Sequence, residues 1–302
     1  MQTTPDSCGK TGIRTLEPLW TVTRFPDVPL QPLEHLSFGM AKLGKKTIFA
    51  NVKRTIVLNF LFFATMMTAD AAPVKYEAVA VKSYPHDTGS YTQGLFFHGK
   101  KFYESTGQYG SSTMREVDLE SGKALKKIKF GGKYFAEGSV ILGSKLYILT
   151  WTNKVAFVYD ATSFAYEKAY SYPREGWGLT TDGKRLVASD GSSRIYFLDA
   201  EFKQLSSIDV KLNGRPVRNL NELEWIDGRI WANVYLTDMI VIINPESGEV
   251  EATVDCRHLF PVETRPEGTD VLNGIALAPD GRIYLTGKLW PRLYEIKLKE
   301  KK

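Results

Sequence analysis

Five residues recur along the 302-residue chain at near-constant intervals: Gln93, Glu137, Trp177, Asn221 and Asn273, spaced by 44, 40, 44 and 52. They comprise one carboxylate, three primary amides and one indole. A single acid among amides suits chemistry in which one proton is taken and returned while hydrogen bonds hold a polar substrate. Glu137 is the only acid of the set, because Glu222 and Glu224 flank Asn221 outside the spacing. Trp151 and Tyr235 follow Glu137 and Asn221 by 14 residues each and so fall at equivalent places as aromatic walls. Lys288, within Thr286-Gly287-Lys288-Leu289-Trp290, falls at the same edge, among aromatic neighbours that favour a functional place for it. Convergent polar groups in an aromatic wall fit a ligand pocket better than a packing layer. No Ser–His–Asp arrangement is legible. Beyond residue 71, His86, His98 and His258 are far apart, lack metal-ligand spacing and read as surface or structural. Trp225 and Trp231 read as core.

The elements that must position this set repeat with it. Residues 94–103, 138–147 and 178–187 each read as a strand, a turn with glycine and a second strand. Two further copies turn at Asp227-Gly228-Arg229 and Asp280-Gly281-Arg282. The turn glycines 99, 143, 183, 228 and 281 are spaced by 44, 40, 45 and 53. Asp-Gly suits a tight hairpin because both central positions can require positive φ. A third strand closes near Asp118, Asp160, Asp199, Asn244 and Glu295, and a fourth follows at places such as 124–130 and 250–254. Four strands per repeat of this length predict an all-β, five-bladed β-propeller. A β-sandwich would not require one turn at nearly fixed intervals. The fifth copy stops after three strands at Lys297, so a strand over 76–83 completes it and closes the ring without an exposed sheet edge. In such a ring the first strand of each blade lines the channel, and the five spaced residues converge on one mouth. The insertion 255–271 reads as a loop over that mouth.

Composition narrows the classes. At 43% hydrophobic and 24% charged the chain is not disordered as a whole, and a net charge of +5 is too mild to argue for nucleic acid. Two cysteines, Cys8 and Cys256, cannot build a disulfide scaffold or a four-cysteine zinc site. Residues 1–39 lack periodicity and read as an extension, disordered or arising from a start placed upstream of Met40. Residues 40–71 read as a signal peptide: Lys42, Lys45, Lys46, Lys53 and Arg54, an apolar run over 56–67, then Ala69-Asp70-Ala71. That run has 12 residues, short of the roughly 20 that span a bilayer. Residues 72–302 then form the catalytic domain, periplasmic or secreted, without stable membrane insertion, nearly neutral and monomeric.

Seven short motifs in order carry a resemblance over residues 84–298: Tyr91-Thr92-Gln93-Gly94-Leu95, Phe135-Ala136-Glu137-Gly138, Leu149-Thr150-Trp151, Glu175-Gly176-Trp177-Gly178-Leu179, Leu220-Asn221-Glu222-Leu223-Glu224, Trp231-Ala232-Asn233-Val234 and Leu272-Asn273-Gly274-Ile275-Ala276. On these the chain resembles the glutamine cyclotransferase family, the plant and bacterial type of glutaminyl-peptide cyclotransferase. The resemblance implies a five-bladed propeller acting on peptides or proteins with N-terminal glutamine, with no metal or other cofactor in the catalytic step. It implies Glu137 as the acid/base, Gln93, Asn221 and Lys288 as polar substrate contacts, and Trp151 and Trp177 as pocket walls. Tyr235 stands where the family usually has tryptophan, which bears on pocket width and substrate preference. Two other classes stay open: a calcium-dependent, lactonase-like propeller using oxygen ligands from Glu137, Asn221 and Asn273, and a non-catalytic binding propeller. If the signal reading holds, exported protein begins at Ala72 or next to it. N-terminal sequencing that finds Met1 or Met40 on exported material would refute it.

Overall fold

The computed structural model describes residues 72–301; the expected extension and signal peptide lie outside the described residues. Strands dominate the described residues, and one short 3₁₀ turn at Val262–Thr264 is the only helical element among them. Three sheets have four antiparallel strands each in sequence order. The first holds Thr92–His98, Lys101–Thr106, Thr113–Val117 and Ala124–Lys129, and the second Ala136–Leu142, Lys145–Thr150, Val155–Asp160 and Tyr166–Ser171. The third holds Leu179–Thr181, Leu186–Ser189, Arg194–Leu198 and Gln204–Asp209. A fourth, eight-stranded sheet joins Leu220–Ile226, Arg229–Val234, Met239–Ile243 and Val250–Asp255 to Leu272–Leu277, Ile283–Gly287 and Arg292–Glu300 through the strand Val74–Pro85.

The joining strand is longer than the sequence suggests and has two partners where one was expected. Along one edge it runs antiparallel to Arg292–Glu300, with Ala78 opposite Leu298, and along the other parallel to Val250–Asp255, with Tyr76 opposite Val254. Both of those strands would otherwise present unpaired backbone to water. Burial falls from the first strand of each sheet outward: Ala136–Leu142 is buried almost throughout, whereas Tyr166–Ser171 is almost wholly exposed. Apolar clusters fill the gaps between neighbouring sheets. Phe96, Tyr103 and Met114 of the first sheet, for example, pack against Ile141, Leu146 and Ile148 of the second.

The first strands Thr92–His98, Ala136–Leu142, Leu179–Thr181, Leu220–Ile226 and Leu272–Leu277 contact one another in cyclic order. Their backbones approach so closely that side chains are excluded. A Cβ on Gly178 would lie 2.0 Å from the Asn221 carbonyl oxygen. Glycine holds this place in four of the strands (Gly94, Gly138, Gly178, Gly274), and Glu222 holds it in the remaining one. Glu222 reaches across instead: Oε2 accepts the Ile275 N–H at 2.9 Å and Oε1 the Leu95 N–H at 3.1 Å. One residue pair further along, Glu224 accepts the Leu277 N–H at 3.0 Å and the Thr180 hydroxyl at 3.3 Å. Both glutamates lie outside the spaced set, as expected, yet they are interior ties between strands rather than flanking residues.

The histidines divide in the same way. His86 is buried, with Nδ1 2.7 Å from the Trp290 carbonyl oxygen and Nε2 3.0 Å from Glu104 Oε1. Both ring nitrogens face acceptors, so the ring is held as an imidazolium. Burial opposes that charge, but Glu104 and the Trp290 carbonyl outweigh it and raise the His86 pKa.

Glu224 makes stability depend on pH. Burial lifts its pKa from 4.5 to about 8, so the fold favours the protonated form. The stability this confers is present below the ordinary carboxylate value and is lost as pH rises through the folded value. Thermal unfolding between about pH 4.5 and 8 is therefore expected to shift to lower temperature with rising pH, and Glu224→Gln to flatten part of that slope. Equal slopes in the two proteins would contradict this role.

Candidate active site

Gln93, Glu137, Trp151, Trp177, Asn221, Tyr235 and Lys288, each singled out in the sequence, line one cleft together with Tyr91 and Phe135. The cleft has a cavity volume of about 150 Å³. A local irregularity in the strands aims Gln93, Glu137 and Asn221 at it. The register between first and second strands shifts between Thr92 and Gly94, Ala136 and Ser139, Leu220 and Leu223, and Leu272 and Ile275. Each shift takes in Gln93, Glu137, Asn221 or Asn273. A bulge of this kind re-aims a side chain that regular pleating would direct elsewhere.

The walls come from a recurring backbone contact. The carbonyls of Tyr91, Phe135, Asn219 and Val271 accept N–H bonds from Gly107, Trp151, Tyr235 and Lys288, at 2.8 to 3.0 Å. Three of those donors carry large side chains over the cleft. Gly107 does not, and the Phe135 ring lies against it, 2.1 Å from where a Cβ would stand. Gly191 is a similar gap: its φ is +77°, and the Trp177 indole fills the space at 2.6 Å. Trp177 meets Tyr235 edge-on with centroids 5.6 Å apart, and Phe135 meets Trp151 likewise at 5.6 Å.

Gln93 and Asn273 form a relay to the acid. Asn273 Nδ2 donates to the Thr92 carbonyl at 2.9 Å and to Gln93 Oε1 at 3.2 Å. That fixes the Gln93 amide so that its Nε2 donates to Glu137 Oε1 at 2.9 Å. Asn273 thus stands behind the cleft and does not line it. Asn221 Oδ1 is buried without a hydrogen-bond partner, an acceptor available to a ligand. The Glu137 side chain has no other hydrogen bond among the described residues.

Glu137 and Lys288 are 4% and 3% exposed, which governs their protonation. Burial pushes the Glu137 pKa well above the usual carboxylate range, Lys288 draws it back, and Glu175 adds to the rise. Burial lowers the Lys288 pKa against the pull of Glu137 and Asp270. The Lys288 ammonium lies 4.6 Å from the Tyr91 ring centroid and 4.9 Å from that of Tyr235, in cation–π range. Both groups are thus pushed toward neutrality, the condition in which a proton moves readily.

Reasoning from spacing missed Tyr91, Phe135 and Glu175, although a signal for them exists. Each stands two residues before a member of the set, and alternation along an extended chain puts such residues on the same side. It also missed Asp270, which comes from the 255–271 insertion. That segment packs against the Lys288 turn through Asp270 N–H to the Lys288 carbonyl at 3.0 Å and Trp290 Nε1 to the Asp270 carbonyl at 2.8 Å. Among the described residues, no group of three or more His, Cys, Asp or Glu side chains could hold a metal ion.

The charge coupling is testable without a substrate. Replacing Lys288 by Met removes the one charge that lowers the Glu137 pKa, so Glu137 is expected to titrate at still higher pH. ¹³C NMR of the glutamate side-chain carboxyls reads this directly. An unmoved or lowered Glu137 titration would show that the two groups are not coupled.

Residues 54–298 match the glutamine cyclotransferase family. A glutaminyl-peptide cyclotransferase of Arabidopsis thaliana is 41% identical over 230 residues, covering 74% of this chain and 72% of that protein. The crystal structure of a Myxococcus xanthus glutaminyl cyclase aligns with a TM-score of 0.71 at 37% identity, covering 76% of this chain and all of that one. The chain belongs to the glutamine cyclotransferase family.

Proposed function

We propose that the protein is a glutaminyl-peptide cyclotransferase that converts the N-terminal glutamine of peptides to pyroglutamate with release of ammonia. The observation that carries this reading is the buried Glu137, held by Gln93 and set opposite Lys288 inside an aromatic cage. Family membership gives the same direction.

In this reaction the substrate's α-amine attacks its own γ-amide carbon. The new N–C bond forms as the C=O π pair moves onto oxygen, and the tetrahedral centre then collapses with loss of the amide nitrogen. The proton leaving the amine ends on the departing nitrogen, so nothing is consumed. Nucleophile and electrophile share one residue, so the protein's main task is to hold the side chain in a near-attack geometry. The Asn221 side-chain Oδ1, which lacks a protein partner, suits the γ-amide N–H₂. Trp151, Trp177 and Phe135 exclude water around it. An α-amine has a reference pKa of roughly 7.7–8.0, and burial in this cage favours its neutral, nucleophilic form. A carboxyl whose pKa lies well above the usual range is matched to take a proton from the amine and return it to the leaving nitrogen. Lys288 is placed to stabilise the oxyanion. The step as drawn needs no metal.

The reading extends to the architecture and its setting. The four sheets act as five blades, the eight-stranded sheet being two blades joined through Val74–Pro85, so that this strand closes the ring. The protein works outside the cytoplasm as a monomer. Among the described residues, no helix is long and apolar enough to cross a membrane.

The decisive experiment assays ammonia release from a Gln-initiated dipeptide. Glu137→Gln keeps the shape but cannot shuttle a proton, and is expected to lower kcat by ~10³-fold, roughly 4 kcal/mol of transition-state stabilisation, with KM much less changed. Retention of most of kcat would remove Glu137 from the mechanism. Loss of wild-type activity on chelation, restored by calcium, would favour the lactonase-like class. Tight peptide binding without turnover would favour a binding propeller.

A further inference from the structure

Both indole N–H groups of the cage end on one oxygen. Trp151 Nε1 donates to Glu175 Oε2 at 2.9 Å, and Trp177 Nε1 to the same atom at 3.1 Å. The two tryptophans belong to different parts of the fold. Trp151 follows the strand Lys145–Thr150 of the second sheet, and Trp177 precedes Leu179–Thr181 of the third. Glu175 precedes Trp177 by two residues, and the intervening Gly176 N–H is bonded back to the Thr150 and Trp151 carbonyls at 3.1 and 3.3 Å. The carboxylate is therefore seated between the two walls by backbone as well as by side chain. It forms no ion pair with any described Lys, Arg or His: the adjacent Arg174 turns to Gln204 at 2.8 Å and lies 3.9 Å from the Tyr196 ring centroid.

We propose that Glu175 is the positioning residue of this site, tying the two indoles into one cage and placing an uncompensated negative charge beside Glu137. The proposal rests on the cyclotransferase reading only for its effect on turnover. Charge-assisted bonds from two N–H donors fix the angle of each indole more firmly than edge contacts between rings. An aromatic wall that swings by an ångström can cost ~10²-fold in rate, because the reacting groups are held by the cage and not by covalent attachment. The charge acts separately. The groups facing Glu137 are Gln93, Lys288, Glu175 and the hydroxyls of Tyr91 and Tyr235, and of these Lys288 and Glu175 act on its titration with opposite sign.

Two variants separate holding from charge. Glu175→Ala removes both, and Glu175→Gln keeps a carbonyl oxygen for the indoles while removing the charge. In ¹⁵N NMR of the substrate-free protein, the Trp151 and Trp177 Nε1–H signals are expected to move and exchange rapidly with water in Glu175→Ala, and to stay protected in Glu175→Gln. Glu137, followed by ¹³C NMR, is expected to titrate at lower pH in Glu175→Gln than in wild type. Ammonia release should fall by ~10²-fold in kcat/KM for Glu175→Ala and recover in large part for Glu175→Gln. Indole signals unmoved in Glu175→Ala, or a Glu137 titration unmoved in Glu175→Gln, would overturn the proposal. A wild-type protein that releases no ammonia from Gln-initiated peptides would overturn the cyclotransferase reading alone, because both NMR measurements are made without substrate.

Discussion

Where the first strands of the sheets meet around one axis, their inner edges carry backbone groups with no further strand to pair with, and there is no room for side chains between them. Everything at the site follows from how that crowding is resolved. Glycine after the spaced residue lets one backbone pass within contact of the next, as at Gly178 against the Asn221 carbonyl. Glu222, at the one place without glycine, spans the axis and takes two of the edge N–H groups. A buried N–H left unpaired costs about 1–3 kcal/mol, and Glu222 spares two of them while burial raises its pKa well above the ordinary carboxylate range. The same convergence pinches the strand starts into bulges, which turn Gln93, Glu137 and Asn221 toward the mouth.

The electrostatics of the cleft are a consequence of this packing. Glu137 and Lys288 line the same small cleft and are both taken out of water, so each is pushed toward its neutral form. A surface pair of the same residues would stay ionised and be screened. In the proposed reaction the acid must hold a proton only briefly, and a raised pKa moves its proton affinity toward that of the amine it serves. Aromatic side chains surround the pair because they exclude water in bulk while offering ring faces to a cation, as Tyr91 and Tyr235 do for Lys288.

Support for the Lys288 side of the cleft comes from beyond it. His86, held between Glu104 and the Trp290 carbonyl, ties the chain after Val74–Pro85 to the turn that carries Lys288. The Leu289 N–H bonds the Ser90 carbonyl at 2.7 Å on the same turn. The strand that joins the two halves of the eight-stranded sheet and the placement of the lysine are therefore linked through one buried histidine.

Much of this was legible in the residues alone. Turn glycines and spaced polar residues share one period because each repeat is built by the same local rules: a tight turn needs positive φ, and extended chain alternates its sides. That local grammar anticipated that Glu137, Gln93, Asn221, Trp151, Trp177, Tyr235 and Lys288 would lie together, as they do in one cleft, whereas Asn273, at the equivalent place of the fifth repeat, stands behind it. Contacts that break the repeat were not legible. The sharing of Glu175 by two indoles and the arrival of Asp270 from an insertion join non-equivalent positions of the repeat, and although Asn273, Gln93 and Glu137 are spaced members, the spacing does not say which of them bond to one another. The parallel pairing of Val74–Pro85 with Val250–Asp255 is of the same kind, because a strand's pattern specifies its buried side but not which edges it will satisfy. Sequence determined the repeat and the members of the site; the tertiary structure decided their hydrogen bonds, their burial and hence their charge, because those depend on distances between segments that no local rule constrains.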